Sequence, residues 1–345
     1  PTPSRRVAVS PASIWWPPVS RSATVAERLT LQGVRAARER IRPFLAPTPL
    51  RPSLAVPDVD LRLKLECWQP TGSFKVRGAL SLMSALGEAE RRGGVAAASA
   101  GNHALGVAFA AQCLGGALPT TVFVPASAPQ AKVAKLRRFP VDVRQVGETY
   151  DDTVESAEAF LGETGATSVH AFEDTRVAAG QGTAGLEVAE ECPDVGMLLV
   201  PVGGGGLIAG VAVAAKALVP GVRVVAVQPD ASPALRESLE LGRPLLTYPA
   251  RPTLADGVAG GIGEIDFAHR DLIDEVVVVT EAEIEDAVVA LLSEDQVVAE
   301  ASGALGLAAL RSGRVSPPDG VPVVAVITGG NIDARVLTRL LAARA

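Results

Sequence analysis

Short apolar runs alternate with longer amphipathic segments along most of the chain. The apolar runs are four to seven residues long and rich in Val and Ala, which is typical of strands that are buried on both faces of a parallel sheet. The pattern predicts eight strands, at 61–66, 95–98, 121–124, 141–146, 197–202, 222–227, 276–280 and 322–328.

The segments between these runs repeat their apolar residues with the period of an α-helix. They predict helices at 29–44, 75–86, 103–114, 129–138, 150–163, 178–191, 206–218, 281–294, 303–311 and 332–343. Strands and helices that alternate in this way predict an α/β fold, with mostly parallel sheets flanked by helices. In such folds, ligands bind at the carboxyl ends of the strands, where the following helices begin.

Length and composition indicate a soluble globular protein of two domains. The chain has 345 residues, of which 48% are hydrophobic and 20% charged, and single cores rarely grow beyond about 300 residues. A net charge of -6 gives no basic surface for nucleic acid. Three scattered cysteines form neither a disulfide set nor a metal-ligand pattern, so we expect a cytoplasmic protein.

Two segments could be mistaken for targeting or membrane elements. Residues 195–215 carry no charge, but Pro201 and four glycines interrupt them, so a strand, a loop and a helix explain them better than a membrane span. Residues 1–23 lack the continuous apolar stretch of a secretory signal. We expect residues 1–23 to form a flexible arm, whose Trp15-Trp16 pair either packs on the body of the protein or stays loose.

One lysine is a candidate catalytic residue. Lys75 follows the turn Thr71-Gly72-Ser73-Phe74 and opens a predicted helix, so the backbone holds it in place. Most lysines are only solvated surface charges, and the prediction for Lys75 therefore depends on the motifs described next.

Three further motifs follow predicted strands. Ser99 to His103 opens a helix whose free N–H groups favour an anion, although an ordinary helix cap at Asn102 would fit the same residues. Four glycines, at 203–206, give bare N–H groups that could converge on a phosphate. Thr328 begins the motif Thr-Gly-Gly-Asn, and its hydroxyl could bond a ring nitrogen. Alternatively, Thr328 or Asn331 could cap the next helix. Together with Lys75, these motifs suggest a pyridoxal 5'-phosphate (PLP) site.

Other chemistries fit the sequence less well. Leu207 follows the glycines where a nucleotide P-loop needs Lys, whereas Gly204, Gly206 and Ala209 do satisfy a Rossmann fingerprint, with Asp230 downstream. An NAD-binding protein therefore remains an alternative, although it leaves the lysine turn unexplained. Three histidines leave little room for a Ser-His-Asp hydrolase or a histidine-rich metal site, and we assign no metal ligands.

Six motifs together resemble those of the fold-type II, or tryptophan synthase β-like, PLP enzymes, and the threonine/serine dehydratase and serine racemase family in particular. They are TGSFKVRGA at 71–79, SAGNHALG at 99–106, AGQGT at 179–183, the glycine loop, TLADGV at 253–258 and TGGN at 328–331. The resemblance covers about residues 30 to 343.

The resemblance implies a cofactor site between two domains. By it, Lys75 carries the cofactor as a Schiff base and Phe74 lies against the cofactor ring. Asn102 bonds the ring hydroxyl, and Thr328 faces the pyridine nitrogen. The backbone of Gly203, Gly204, Gly205, Gly206 and Leu207 holds the phosphate. The substrate-binding residues are Ser99, Ala100, Gly101, Asn102 and His103.

The resemblance also implies a domain division and a reaction. The large PLP-binding domain comprises 24–92 and 166–345, and a small mobile domain comprises 93–165. The implied reaction is β-elimination, in which a β-hydroxy amino acid such as L-threonine or L-serine is dehydrated and deaminated to a 2-oxo acid and ammonia. The alternatives are an amino-acid racemase or a β-replacement enzyme. We expect a homodimer with a small-molecule substrate, no membrane association and no nucleic-acid partner.

Departures from the family pattern refine this expectation. Ala100 stands where serine racemases have a second Ser, which predicts elimination with little racemisation. Gln228 replaces the Glu of the family's cation site, so cation dependence is in question. Leu105 and Ala301 differ from the dehydratase pattern near the substrate, so a β-hydroxy amino acid other than threonine is possible. Because the sequence ends at Ala345, we expect no regulatory domain of the kind found in biosynthetic threonine dehydratases.

Overall fold

The computed structural model describes residues 28–344, so the predicted arm at 1–23 with its Trp pair lies outside the described residues. Ten strands are present in the described part. They are β1 (Leu50–Pro52), β2 (Leu61–Lys64), β3 (Val95–Ala98), β4 (Thr120–Val124), β5 (Asp142–Gln145), β6 (Thr167–Ser168), β7 (Met197–Pro201), β8 (Arg223–Pro229), β9 (Glu275–Val279) and β10 (Val323–Val326).

Thirteen α-helices flank these strands in residues 28–344. They are α1 (Leu31–Ile41), α2 (Lys75–Ala85), α3 (Glu88–Arg92), α4 (Asn102–Cys113), α5 (Gln130–Leu136), α6 (Tyr150–Thr164), α7 (Thr175–Glu191), α8 (Gly206–Leu218), α9 (Ala234–Leu241), α10 (Glu264–Ala268), α11 (Glu281–Ser293), α12 (Ala301–Arg311) and α13 (Ala334–Ala342).

The strands form two separate sheets. A six-stranded sheet has the order β1-β2-β10-β7-β8-β9, and a four-stranded sheet has the order β5-β4-β3-β6. All pairs are parallel except β1 with β2. The prediction of an α/β fold with mostly parallel sheets is therefore confirmed. The four-stranded sheet spans residues 95–168, while the domain boundaries at 92/93 and 165/166 stay a prediction.

The inner strands β7, β8 and β10 of the large sheet are buried on both faces. Every residue of β7 and β10 is buried, as are all residues of β8 except Arg223. Helices α7 and α8 cover one face at very close range: a Cβ on Gly210 would lie 2.3 Å from the Ala178 carbonyl oxygen. Glycine at this position lets the two helices touch, so that α8 packs directly on α7.

Two of the helix starts are set by capping boxes. Thr149 accepts a hydrogen bond from the Asp152 N–H at the start of α6, and Thr280 accepts one from the Glu283 N–H at the start of α11. In each case the carboxylate of the third helical residue bonds back to the backbone of the cap, which satisfies N–H groups that the helix itself cannot pair.

The uncharged segment 195–215 comprises β7, the glycine loop and most of α8, as predicted. Among residues 28–344, no helix has the length and apolarity needed to cross a membrane.

Candidate active site

The lysine turn and the Thr-Gly-Gly-Asn loop are paired through their backbones. The Phe74 N–H donates to the Thr328 carbonyl at 3.0 Å, and the Gly330 N–H donates to the Gly72 carbonyl at 2.9 Å. Between these two bonds, Ser73 and Gly329 form an isolated antiparallel bridge. Two motifs that are more than 250 residues apart in the sequence are thus neighbours in space.

Lys75 is the first residue of α2, and its side chain points inward. The ε-amine donates a hydrogen bond of 3.1 Å to the Ala171 carbonyl and lies 5.1 Å from the centroid of the Phe74 ring. Burial lowers the pKa of Lys75 to about 8, against an opposing effect of the Glu300 charge. Because the usual pKa of lysine is about 10.4, a far larger fraction of this amine is neutral near pH 7 and can act as a nucleophile or base.

A buried ion-pair network anchors the helix that carries Lys75. Arg77, which is 1% exposed, donates to Glu66 from Nε at 2.7 Å and to Glu187 from Nη1 at 2.6 Å. Lys64 adds a third contact, with 2.7 Å between its Nζ and Glu187 Oε2. Since Arg77 is only two residues from Lys75, the network joins the start of α2 to β2 and α7 and restricts the position of the lysine.

The four glycines form a turn that opens α8. Gly205 has φ of +95°, a conformation that residues with a Cβ rarely adopt. The N–H groups of residues 203–207 donate to no acceptor within residues 28–344. These N–H groups lie at the positive end of the α8 dipole, which is the arrangement that binds anions such as phosphate.

Two consecutive residues connect Lys75 with the glycine loop. Ala171 accepts the hydrogen bond from the lysine, and the next residue, Phe172, packs on the glycines. A Cβ on Gly204 would lie 2.3 Å from the Phe172 ring, and one on Gly206 would lie 3.1 Å from Phe172 Cβ. The lysine amine and the loop therefore face the same region of the protein, as the sequence motifs predict.

Asn102 is held by two side chains from distant parts of the chain. Its Nδ2 donates to Glu300 Oε1 at 2.6 Å, and its Oδ1 accepts from Asn331 Nδ2 at 2.7 Å. The N-cap of α4 is Gly101 and not Asn102, so an ordinary capping role for the asparagine is wrong. One N–H of the Asn102 amide remains available beyond the bond to Glu300.

The candidate substrate loop lies at the start of α4, against the lysine helix. Ser99 Oγ accepts a hydrogen bond of 3.2 Å from the Gly101 N–H, and Ala100 lies between them. His103 points inward, with its Nε2 2.6 Å from the Val169 carbonyl oxygen. Burial, together with the nearby Lys75 charge, lowers the pKa of His103 to about 4, so this ring is neutral at physiological pH.

Thr328 is buried, and its hydroxyl lies 3.4 Å from the Ser302 carbonyl oxygen. The helix cap that the sequence allowed at Thr328 or Asn331 is at neither residue. Helix α13 begins at Ala334, and Asp333 caps it by accepting from the Arg335 N–H. Neither Thr328 nor Asn331 therefore caps a helix, and Asn331 instead donates to the Thr71 carbonyl at 2.9 Å.

The residues present fit a phosphorylated aldehyde cofactor. The Ser73 hydroxyl is fully buried and has no hydrogen-bond partner among the described residues, although it lies two residues from the lysine. A loop of unpaired N–H groups suits a phosphate, and a lysine amine of lowered pKa suits an aldehyde. Side chains on the glycines would collide with Val258, Phe172 and Asp266.

Four residues at this site have no role predicted from the sequence, namely Ala171, Phe172, Asp266 and Glu300. Ala171 contributes only a carbonyl, and an acid such as Glu300 at the start of a helix is normally a surface residue. Glu300 is instead half-buried, and burial raises its pKa to about 7 despite the hydrogen bond from Asn102.

An α/β fold with two mostly parallel sheets and a lysine next to a free glycine loop define the fold-type II class of PLP-dependent enzymes. The family comparison agrees: residues 41–329 match the model of the family described as "Pyridoxal-phosphate dependent enzyme". The chain belongs to this family, and its cofactor is PLP. The nicotinamide alternative is therefore wrong.

Similar proteins have been characterised in sequence and structure. An L-threonine ammonia-lyase of Thermotoga maritima is 43% identical over 91% of this chain and 78% of its own length. The structure of maize serine racemase matches with a TM-score of 0.85 and 32% identity, covering 92% of this chain and 98% of that one. The processed form of threonine deaminase isoform 2 from Solanum lycopersicum matches with a TM-score of 0.83 and 30% identity, covering 92% of this chain and 96% of that one.

Proposed function

We propose that this protein is a PLP-dependent ammonia-lyase that dehydrates and deaminates a β-hydroxy amino acid such as L-threonine or L-serine. The products are a 2-oxo acid and ammonia, and the water lost in the elimination returns in the hydrolysis that releases ammonia. The similarity to the L-threonine ammonia-lyase of Thermotoga maritima supports this reaction. The observation that carries the proposal is the inward-pointing amine of Lys75, joined through Ala171 and Phe172 to the glycine loop.

The cofactor-binding roles follow from the contacts. Lys75 would bind the cofactor aldehyde, and Phe74, whose ring lies next to the lysine amine, would pack against the cofactor ring. The N–H groups of 203–207 would bind the phosphate. Asn102 would bond the ring hydroxyl through its remaining amide hydrogen, and the Thr328 hydroxyl would face the ring nitrogen.

The substrate carboxylate would bind at the start of α4. The N–H groups of residues 102–104 donate to no acceptor among the described residues, and they lie at the positive end of the helix dipole. The Ser99 hydroxyl can donate to the same anion, since among residues 28–344 its one hydrogen bond is accepted from the Gly101 N–H. Gly101 leaves open space where a side chain would stand, because a Cβ there would meet no atom within 4 Å.

When bound, PLP withdraws electrons from the substrate Cα and so acidifies its proton. The neutral amine of Lys75 would be the base that takes this proton, since burial lowers its pKa to about 8, much nearer neutral pH than the usual value for lysine. Thr328 would present a neutral hydroxyl, and not a carboxylate, to the ring nitrogen. A hydroxyl would not hold that nitrogen protonated, which would favour loss of the β-hydroxyl group over reprotonation at Cα.

We further propose that residues 93–165 act as a small domain that closes over the site, while 24–92 and 166–345 hold the cofactor. The Asn102 bonds to Glu300 and Asn331 cross this boundary. Lys135 of α5 also crosses it, with its Nζ 3.0 Å from Asn331 Oδ1. Such closure would exclude water from the reacting amino acid.

A racemase is the second candidate, because the maize enzyme is a serine racemase of closely similar fold. The small side chain of Ala100 supports elimination, since it offers no acid or base for the other face of Cα. The test measures 2-oxo acid, ammonia and D/L ratio with a panel of L- and D-β-hydroxy amino acids. We expect ammonia release to exceed racemisation for at least one of them. Racemisation faster than ammonia release with every substrate would overturn the lyase assignment.

We also propose that the enzyme works in the cytoplasm as a homodimer. The cysteines Cys67, Cys113 and Cys192 are all unpaired, which suits a reducing compartment. Dimers are common in the family that the sequence resembles. Light scattering coupled to size-exclusion chromatography measures the mass in solution, and a value near 35.4 kDa would mean a monomer and contradict the dimer.

A further inference from the structure

A buried carboxyl without a hydrogen-bond partner lies against the glycine loop. Asp266 of α10 is 1% exposed, and neither of its side-chain oxygens has a partner among the described residues. The carboxyl packs directly on Gly205, because a Cβ on this glycine would lie 2.1 Å from Asp266 Cγ. A buried carboxyl with both oxygens unsatisfied is costly, so a bound group that pairs with it is expected at this position.

The groups around Asp266 do not provide a counter-charge. The facing acid is Glu173, whose Oε1 accepts from the Ile265 N–H at 3.3 Å. His269, the C-cap of α10, has its Nδ1 2.7 Å from the Ile265 carbonyl oxygen, and Lys216 of α8 pairs with Asp274 at 2.6 Å. Residues 203–206 carry no charge. Burial, with a smaller effect of Glu173, raises the pKa of Asp266 to about 8, so the acid is neutral at pH 7.

We propose that Asp266 binds the cofactor phosphate as a neutral acid, donating a hydrogen bond to a phosphate oxygen next to Gly205. The inference rests on the proposed function, in which the phosphate binds the N–H groups of 203–207. A phosphate has more acceptor positions than these N–H groups can fill, and a carboxylic acid supplies one more donor. An ionised carboxylate at the same place would repel the phosphate instead.

The consequence is a pH dependence that belongs to cofactor binding and not to catalysis. The protonated acid is the binding form, so the phosphate contact is complete well below pH 8 and weakens as the pH rises through the pKa of Asp266. The bound phosphate raises this pKa further, because its negative charge opposes ionisation of the acid. The transition in the cofactor-bound enzyme is therefore expected at or above about pH 8.

The test is the ³¹P NMR chemical shift of the phosphate in the cofactor-bound enzyme between pH 6.5 and about 10. Wild type is expected to show a transition at or above about pH 8, and Asp266→Asn, which keeps a donor but cannot ionise, to show none. Glu173→Gln is expected to lower the midpoint, because it removes the neighbouring charge. The matched control is Glu264→Gln, an exposed acid in the same helix, which should titrate like wild type.

A second measurement is cofactor retention on dialysis at pH 7. Asp266→Ala is expected to lose cofactor about tenfold faster than wild type, whereas Asp266→Asn stays within about threefold. Identical ³¹P titrations in wild type and Asp266→Asn, or a Glu173→Gln midpoint equal to that of wild type, would overturn the inference. Absence of any cofactor attached to Lys75 would instead overturn the proposed function, so the two failures are distinguishable.

Discussion

The side-chain amide of Asn102 donates a hydrogen bond of 2.6 Å to Glu300, an acid that lies 198 positions away in the sequence. Asn102 comes from α4, next to the small sheet, and Glu300 is the N-cap of α12, which packs on the large sheet. The same asparagine accepts from Asn331 at 2.7 Å. Both polar ends of Asn102 are thus fixed, and the direction of its remaining N–H is set by Glu300.

Replacing Glu300 tests this positioning role. Glu300→Ala leaves the Asn102 amide without its acceptor and is expected to lower kcat/KM by about tenfold to a hundredfold. Glu300→Gln keeps an acceptor oxygen and is expected to stay within about threefold. Steady-state kinetics with the best substrate measures both effects. Equal loss in the two variants would contradict a role that depends on the hydrogen bond.

The pH dependence of stability gives a second readout for Glu300. Burial raises the pKa of this acid to about 7, above its usual 4.5, so the ionised form is disfavoured in the folded state. Its unfavourable ionisation therefore reduces stability as the pH rises from about 4.5 to about 7. Glu300→Gln should therefore raise the melting temperature above that of wild type by more at pH 8 than at pH 5. A constant difference across this range would contradict the raised pKa.

Gly205 is expected to tolerate no side chain. Gly205→Ala places a methyl group 2.1 Å from Asp266 Cγ, at a φ of +95° that alanine disfavours. The loop must shift, and we expect the purified variant to lack the absorption of bound PLP. Gly162→Ala is the control, because a Cβ there meets no atom within 4 Å. This control lies in exposed helix and should be stabilised by about 0.5–1 kcal/mol. A Gly205→Ala enzyme with full cofactor content would contradict the phosphate site.

Arg77 is expected to be required for folding more than for chemistry. Arg77→Met leaves Glu66 as a buried carboxylate without its cation and leaves Glu187 with Lys64 alone, which costs about 3–5 kcal/mol in the free energy of unfolding. Arg314→Met is the control, because its ion pair with Glu283 is exposed and worth at most about 1 kcal/mol. Urea denaturation measures both variants. Equal destabilisation of the two variants would contradict the importance of the buried network.

Removal of divalent cations is expected to leave the activity unchanged within about twofold. Gln228 replaces the family's cation-binding Glu, and its amide is fully used by the protein: Oε1 accepts from the Leu235 N–H at 3.0 Å, and Nε2 donates to the Val202 carbonyl at 3.4 Å. A neutral amide paired with the backbone is a poor ligand for Mg²⁺ or Ca²⁺. Activity lost with EDTA and restored by Mg²⁺ would contradict this prediction.

The apolar runs of four to seven residues predicted the fold correctly because each run reflects the burial of its own strand. Buried parallel strands such as Val95–Ala98 require continuous apolar residues, and the structure has this strand with the predicted bounds. The two-residue strand Thr167–Ser168 and the three-residue strand Leu50–Pro52 have no measurable period, so they could not be predicted. The five-residue helices α3 and α10 were not predicted for the same reason, and the eight-residue helix α9 was also missed.

A site residue could be predicted from the sequence where its position requires one residue type, either for the backbone conformation or for the reactivity of the side chain. The glycines at 203–206 and a lysine after a tight turn indicate their chemistry in the sequence alone. Glu300 and Asp266 do not, because an acid near a helix start is usually a solvated residue. Their burial depends on what the fold places around them, which only the tertiary structure reveals.

The covalent attachment site of the cofactor tests the central claim most directly. The sequence has five lysines, and Lys135 also lies close to the site through its bond to Asn331. Reduction of the cofactor-bound enzyme with borohydride, followed by peptide mass mapping, locates the attached cofactor. We predict the added mass on Lys75 alone, with none on the Lys75→Ala variant. Cofactor attached to Lys135 or another lysine, or an unmodified Lys75 in active enzyme, would contradict the proposed mechanism.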